Sequence, residues 1–324
     1  MTKNSIDKTL NISFSYSRCF LCNCKLRSNK SYEHVFPKWI QKEFNLWNEK
    51  IFLLNNTNIN YNQLIIPCCK KCNAEYLSKI ENIIKSSYKK GHKTFCEVDE
   101  LKIYQWTSKI FYGLLFKELS LLVDRKNPKL GKIMTSTELK NYSTFISFLK
   151  SIIYPFEFVN FKPWSIFFFK LSFTNDKNSY FDYSDDLISL CFSIKLKNIG
   201  IVISFQDNGS VREGLDWIYR KLRKKTLSPL QFVEFFAAVI YSRRLLNRTP
   251  KYISIIDKKN KTQVLSLPLG GFSSKPIFDE WDNNYFSRIF YTFLERHGYD
   301  RKNLPNEPGK FLSFIFDENG NVKP

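Results

Sequence analysis

Apolar positions along the chain change rhythm several times, and the changes outline its elements. Between residues 73 and 88, Tyr76, Leu77, Ile80, Ile83 and Ile84 recur at three- and four-residue spacing, which predicts a helix. A longer helix is predicted over 101–123, carrying Trp106, Ile110, Leu114, Leu115 and Leu122, with Pro128 and Gly131 beyond it. Another spans 137–153 and stops before Pro155. Strand-like runs follow at 165–173, 187–196 and 200–205, the last two joined by a tight turn at Lys197 and Asn198. Gln206, Asp207, Asn208 and Gly209 make a turn signal. Helical patterns return at 214–224, 229–247 and 278–297, and Gly270-Gly271 breaks the mixed stretch between the last two.

The first 95 residues read differently. Residues 1–17 form a polar arm with a short strand at 12–16, and 19–24 a tight turn with its thiols inward. A strand over 31–36 leads to Pro37, which opens a short amphipathic helix with Trp39, Ile40, Phe44 and Trp47 on one side. An Asn-rich loop at 55–62 separates two apolar runs, 51–54 and 64–67, the second being the returning strand of a hairpin. Residues 85–93 are basic and contain Gly91, so a linker is placed there. The expected domains are 1–95 and 96–324.

Composition narrows the class. Of 324 residues 43% are hydrophobic and 17% aromatic, enough for a real core and too much for a disordered chain. The longest apolar run, 230–241, is shorter than a bilayer span and is broken by Glu234. The polar first ten residues contain no signal-peptide pattern, so a cytoplasmic location with reduced thiols is expected. Lys and Arg outnumber Asp and Glu 50 to 30, a net charge of +20 that favours polyanionic partners. Residues 1–95 hold 16 basic against 6 acidic side chains, a net of +10, so the charge is densest there. Nucleic acid is favoured over a membrane surface.

Six of the eight cysteines sit in two tight clusters, a pattern suited to metal rather than to disulfides. Cys19, Cys22, Cys69 and Cys72 give Cys-x2-Cys-x46-Cys-x2-Cys, a four-thiolate set for a closed tetrahedral Zn2+. Cys24 or Cys68 could supply a ligand instead. Cys96 and Cys191 are isolated and read as core residues.

Between these pairs lies the other chemistry. The segment Tyr32-Glu33-His34-Val35-Phe36-Pro37-Lys38-Trp39 is followed by Cys69-Lys70-Lys71-Cys72-Asn73 and then Ile80-Glu81-Asn82. His34 is one of only three histidines, and a neutral imidazole can take a proton from water near neutral pH. Together with Cys19-Phe20-Leu21-Cys22, these segments resemble the HNH, or ββα-metal, endonuclease family in its zinc-ribbon form. The resemblance covers about a quarter of the chain.

The expected fold class is α+β: the resemblance implies an N-terminal zinc-stapled ββα-metal module, and the patterning beyond it predicts a mixed helix and antiparallel-strand C-terminal domain. In that family the residue matching His34 is the general base, and the one matching Glu33 ligates a catalytic Mg2+ or Mn2+. Asn73 matches the residue that ties the loop carrying the base in place. Asn82 matches the second metal ligand by spacing, with Glu81 the alternative as the stronger oxygen donor. The span from His34 to Asn73 exceeds the family's compact hairpin and requires an insertion at about 38–62. Lys25, Arg27, Lys30, Lys38, Lys70 and Lys71 are the candidates to hold the phosphate backbone. DNA is the expected partner, with RNA open, and a protein partner or a second copy could use the C-terminal domain. By analogy a stand-alone protein of this kind suits bacterial defence or restriction. Two other readings stay open: an inactive zinc-ribbon nucleic-acid-binding protein, and a nuclease subunit active only in a complex.

Overall fold

The computed structural model describes residues 14–323 apart from 54, 56, 258–260, 270–273, 301, 303–304 and 306–311. Of the strand expected at 12–16, residues 12 and 13 lie outside the described residues, and 14–16 are not in a strand. The protein is mixed α/β and divides into two compact units. Described residues up to Glu157 and those within Ser254–Val264 form the first; those within Phe158–Ile253 and from Leu265 onward form the second.

In the first unit the early elements are β1 (Lys30–His34), α1 (Lys38–Glu43), β2 (Lys50–Phe52), β3 (Asn58–Asn60) and β4 (Ile65–Cys69). Then come α2 (Ser78–Lys89), α3 (His92–Cys96) and α4 (Glu100–Glu118). Strands β1 and β4 pair antiparallel, with Lys30 opposite Cys69 and His34 opposite Ile65. The apolar run at 64–67 is thus the returning strand that its pattern predicts, because Leu64, Ile66 and Pro67 all face the core. The β2–β3 hairpin and α1 are inserted between the paired strands.

Helix α4 organises this unit. Asp99 caps it, its carboxylate accepting from the Leu101 amide at 2.7 Å. Buried residues lie on all of its sides, including Ile103, Trp106, Ile110, Phe111 and Leu115. Its Tyr112 and Phe116 rings lie 6.1 and 6.4 Å from that of Phe20. At Gly113 the helix backbone approaches Val35 so closely that a Cβ would stand 3.0 Å from the valine Cγ2. The break expected at 95/96 therefore falls inside the first unit. Gly91, at φ +96°, turns the chain sharply from α2 into α3 and does not open a linker.

The second unit is built on a five-stranded sheet of β5 (Trp164–Leu171), β6 (Phe181–Asp186), β7 (Cys191–Leu196), β8 (Ile199–Phe205) and β9 (Thr226–Leu227). The order is β9-β5-β8-β7-β6, antiparallel except for the short β9 beside β5. Lys197, at φ +54°, makes the tight turn between β7 and β8. Helices α5 (Asp216–Leu222), α6 (Pro229–Leu245) and α7 (Asn283–Arg296) supply a core in which Phe167, Phe169, Phe235, Phe236 and Phe290 are fully enclosed. The strand expected at 187–196 begins only at Cys191. The acidic stretch before it supplies the edge strand β6, where charged side chains discourage pairing with another chain. In the basic run at 220–225, Arg220 pairs with Asp216, and Lys225 donates to the carbonyls of Val322 and Lys323 at 3.1 and 2.8 Å. Among the described residues no helix is long and apolar enough to cross a membrane.

Candidate metal centre and the His34 site

Each Cys-x2-Cys pair bends the backbone so that its sulfurs face one point. After the first pair Asn23 takes φ +61°, a conformation Asn tolerates, and its amide donates to the Cys19 carbonyl at 2.9 Å. In the second pair the Cys72 amide donates to the Cys69 sulfur at 3.4 Å. The Phe20 amide donates to the Pro67 carbonyl at 2.9 Å, docking the first turn on β4. The sulfurs of Cys19, Cys22, Cys69 and Cys72 all lie within 4.8 Å of one another, and those of Cys22 and Cys69 are 3.8 Å apart. Tetrahedral zinc with bonds of about 2.3 Å needs sulfurs about 3.8 Å apart, so the set fits a structural ion such as zinc. The Cys68 sulfur lies 4.0 Å from that of Cys19, and the Cys24 sulfur receives the Asn29 amide at 3.9 Å; neither belongs to the set.

The electrostatics of the set point the same way. Hydrogen bonds from Cys22, Cys68 and Cys72 hold the Cys19 thiol far below its ordinary value. Hydrogen bonding to Cys19 in turn pushes Cys22 and Cys72 up. Thiolates this close repel one another, so a bound cation favours the ionisation of all four.

The second pair continues directly into α2 through a wide π-helical turn, Cys72–Leu77. From that turn the Asn73 side-chain amide donates to the Tyr32 carbonyl at 2.9 Å and reaches the Ser31 hydroxyl at 3.5 Å. Asn73 thereby ties the start of the helix to β1, two residues before His34.

His34 ends β1 and is half-buried. The Trp47 ring lies 5.6 Å from its ring, tilted by 40°. Gln41 Nε2 stands 3.3 Å from His34 Nδ1 and also donates to the Phe36 carbonyl at 2.7 Å. With that nitrogen as donor, Nδ1 accepts and the ring proton sits on Nε2. Burial, helped by the charges of Lys38 and Lys109, holds His34 down at about 4. A histidine lowered in the fold adds stability that is complete above about pH 6.5, its unfolded value, and is lost as pH falls toward 4. The His34 imidazole resonances should therefore still be those of the neutral ring at about pH 5.5. A titration midpoint near 6.5 would contradict this environment.

Beside His34 lies a cation that the motif does not contain. Lys109, fully buried on α4, donates to the His34 carbonyl at 2.7 Å, the Val35 carbonyl at 3.2 Å and Glu81 at 3.0 Å. Its ammonium also forms an ion pair with Glu33, which is itself only 6% exposed. Burial pushes Glu33 up to about 7 against the pull of Lys109. Burial acts to lower Lys109 as well, but Glu33 and Glu81 together hold it above its ordinary value.

Glu33, Glu81 and Lys109 thus converge from β1, α2 and α4, whereas Asn82 is exposed on α2 and is not among the partners of Lys109. Mg2+ requires six oxygens at about 2.0–2.1 Å and keeps several waters. An ion held by Glu33 and Glu81 would need the point that the ammonium fills, so these residues do not fit a divalent ion alongside Lys109.

Lys25, Arg27, Lys30, Lys38, Lys70 and Lys71 are all exposed. The Lys70 amide donates to the Asn29 carbonyl at 2.9 Å, which brings the Lys70-Lys71 turn beside Lys30. Lys38 opens α1, close enough for its charge to act on His34. Three residues of the site carry no motif signal: Gln41, Trp47 and Lys109. Only Lys109 could have been suspected, as the one charged residue between Lys102 and Lys117 in the buried middle of its helix. Comparison of the chain with protein-family models, with curated proteins and with solved structures finds no match.

Proposed function

We propose that this protein is an endonuclease of the HNH type that hydrolyses phosphodiester bonds of DNA with His34 as general base. One observation carries the reading: the Asn73 amide on the Tyr32 carbonyl. It joins the first turn of a helix to the strand that ends at His34, within a strand-strand-helix unit bound to a four-cysteine group. In this reading His34, neutral over the working range, takes a proton from water through Nδ1 once the long contact from Gln41 yields to that water. The water oxygen attacks phosphorus, the bond to the 3′ oxygen breaks and that oxygen takes a proton from solvent, giving the 5′ phosphate and 3′ hydroxyl that the resemblance implies. The exposed lysines and Arg27 hold neighbouring phosphates without reading sequence. Zinc at the four cysteines would hold the two knuckles together. The further ion that the resemblance adds, Mg2+ or Mn2+, has no free pair of ligands at Glu33 and Glu81, so the chemistry supplied by the chain is that of the base.

Purified protein is expected to nick supercoiled plasmid with Mg2+ or Mn2+ present, the ion being carried by the DNA phosphates rather than by Glu33 and Glu81, and to stop with a chelator. Binding to the same DNA should weaken steeply with salt, by a log–log slope of about −0.9 per phosphate contacted. A parallel assay on RNA separates the two nucleic acids. The pairing of Glu33 with Lys109 favours a second reading, a nucleic-acid-binding zinc ribbon without catalysis. Salt-dependent binding with no nicking under any divalent ion would establish that reading and remove the first.

A further inference from the structure

The first unit holds an ammonium where the motif leads one to expect a divalent ion. Lys109 comes from a helix that begins after the motif has ended, yet its Nζ is surrounded by oxygens of Glu33, His34, Val35 and Glu81. A fully buried charge survives only when it is paired and its hydrogen bonds are satisfied. An ammonium has three N–H donors, and these oxygens use all of them. A neutral apolar side chain would serve packing as well or better, so a charge placed at this point answers to something other than stability.

What the charge touches is the backbone of the base. The carbonyls of His34 and Val35 both accept from Lys109, and the Val35 amide donates to the Leu64 carbonyl at 3.0 Å. The peptide unit between His34 and Val35 is therefore held at both its carbonyl and its amide, and the next one at its carbonyl, and with them the direction in which β1 presents the imidazole. Glu33 and Glu81 hold the ammonium from the other side. We infer that Lys109 is the resident cation of the Glu33–Glu81 pair and a positioning residue for His34, so that neither carboxylate holds a divalent ion. The positioning half rests on the reading of His34 as the base; the occupancy of the pair does not.

Full-length, zinc-loaded protein titrated with Mn2+ and followed by electron paramagnetic resonance tests the occupancy. The wild type and Glu33→Gln are expected to leave the free Mn2+ signal equally unchanged. One Mn2+ bound per wild-type chain and released by Glu33→Gln would overturn the inference. Cleavage measured against Mn2+ concentration gives a second reading of the same point. The amide oxygen introduced by Glu33→Gln can still accept from Lys109, so the Mn2+ requirement should not move. Losing even an outer-shell partner of a metal weakens its binding by about 10–100-fold, and a shift of that size would also overturn the inference.

Positioning is tested by neutralising all three groups at once with Glu33→Gln, Glu81→Gln and Lys109→Met. This variant avoids leaving a buried charge unpaired. Zinc content and DNA affinity should persist while kcat falls by about tenfold or more with KM unchanged, the signature of a lost transition-state geometry. Wild-type kcat in that variant would remove the positioning role. If the variant loses its zinc, cleavage by Glu81→Gln alone, whose amide can still accept from Lys109, should keep the wild-type Mn2+ requirement, and a raised requirement would count against the inference. Absence of cleavage by the wild type removes the nuclease reading and the positioning half with it, whereas the Mn2+ spectrum still decides what the carboxylate pair holds.

Discussion

His34→Ala is expected to slow plasmid nicking by about 10²-fold or more, since general-base catalysis contributes roughly 10²–10⁴-fold. Its surroundings set the size of that contribution. Burial and two neighbouring lysines hold it neutral down to about pH 4. The lone pair is therefore free at neutral pH but is a weaker proton acceptor than an ordinary imidazole, which places the effect toward the lower end of that range. Alanine removes the lone pair but none of the exposed lysines that hold phosphate, so DNA affinity and its salt dependence should stay nearly unchanged. The substitution also takes away the ring that Trp47 lies against and the acceptor of Gln41, so some thermal stability is lost. Zinc content separates that loss from unfolding. The deficit should narrow as pH rises, because hydroxide from solvent then substitutes for the missing base. Nicking by His34→Ala at close to the wild-type rate would remove His34 from the chemistry and the HNH reading with it.

How much of this was legible in the sequence follows from the distance over which each feature is encoded. The Cys-x2-Cys pairs and the apolar run at 64–67 are local, and the four sulfurs and the β1–β4 pairing come out where their spacing puts them. Asn73 was marked by its place after Cys72, and its side chain does reach β1. Whether residue 81 or 82 faces the hairpin was not legible. The two differ by about 100° around the helix, and the π-helical turn at Cys72–Leu77 disturbs the phase counted from Asn73. Glu81 rather than Asn82 turns inward to Lys109, but Lys109 lies 28 residues from Glu81 and 75 from His34, and no periodicity links groups so far apart. The same helix displaced the expected domain boundary. A helix buried all round reads as the start of a new core, whereas α4 completes the existing one. Trp47 was counted with the buried face of α1, but Asn45 at φ +60° turns the chain after that helix and delivers the indole to His34.

The second large effect is on folding. Cys72→Ser should abolish zinc binding, from about one ion per chain in the wild type, and should unfold the first unit. Cys72 contributes its sulfur to the four-cysteine group, and its amide holds the Cys69 sulfur, so one substitution disturbs both halves of the second knuckle. Structural zinc adds an apparent 10–16 kcal/mol or so to folding in small modules, against a total stability of about 5–15 kcal/mol for an ordinary domain. The loss should not stay within the motif. Phe20 sits between the first pair of cysteines and packs on Tyr112 and Phe116, so releasing the knuckle strips cover from α4 and loosens the helix that carries Lys109. The second unit has its own aromatic core, so calorimetry should show one transition lost and one retained. Cys24→Ser is the control: its sulfur lies outside the four-cysteine group, and the variant should keep its zinc and both transitions. A soluble Cys72→Ser protein with a full complement of zinc would mean that another thiol, Cys68 being the nearest to Cys19, completes the set instead.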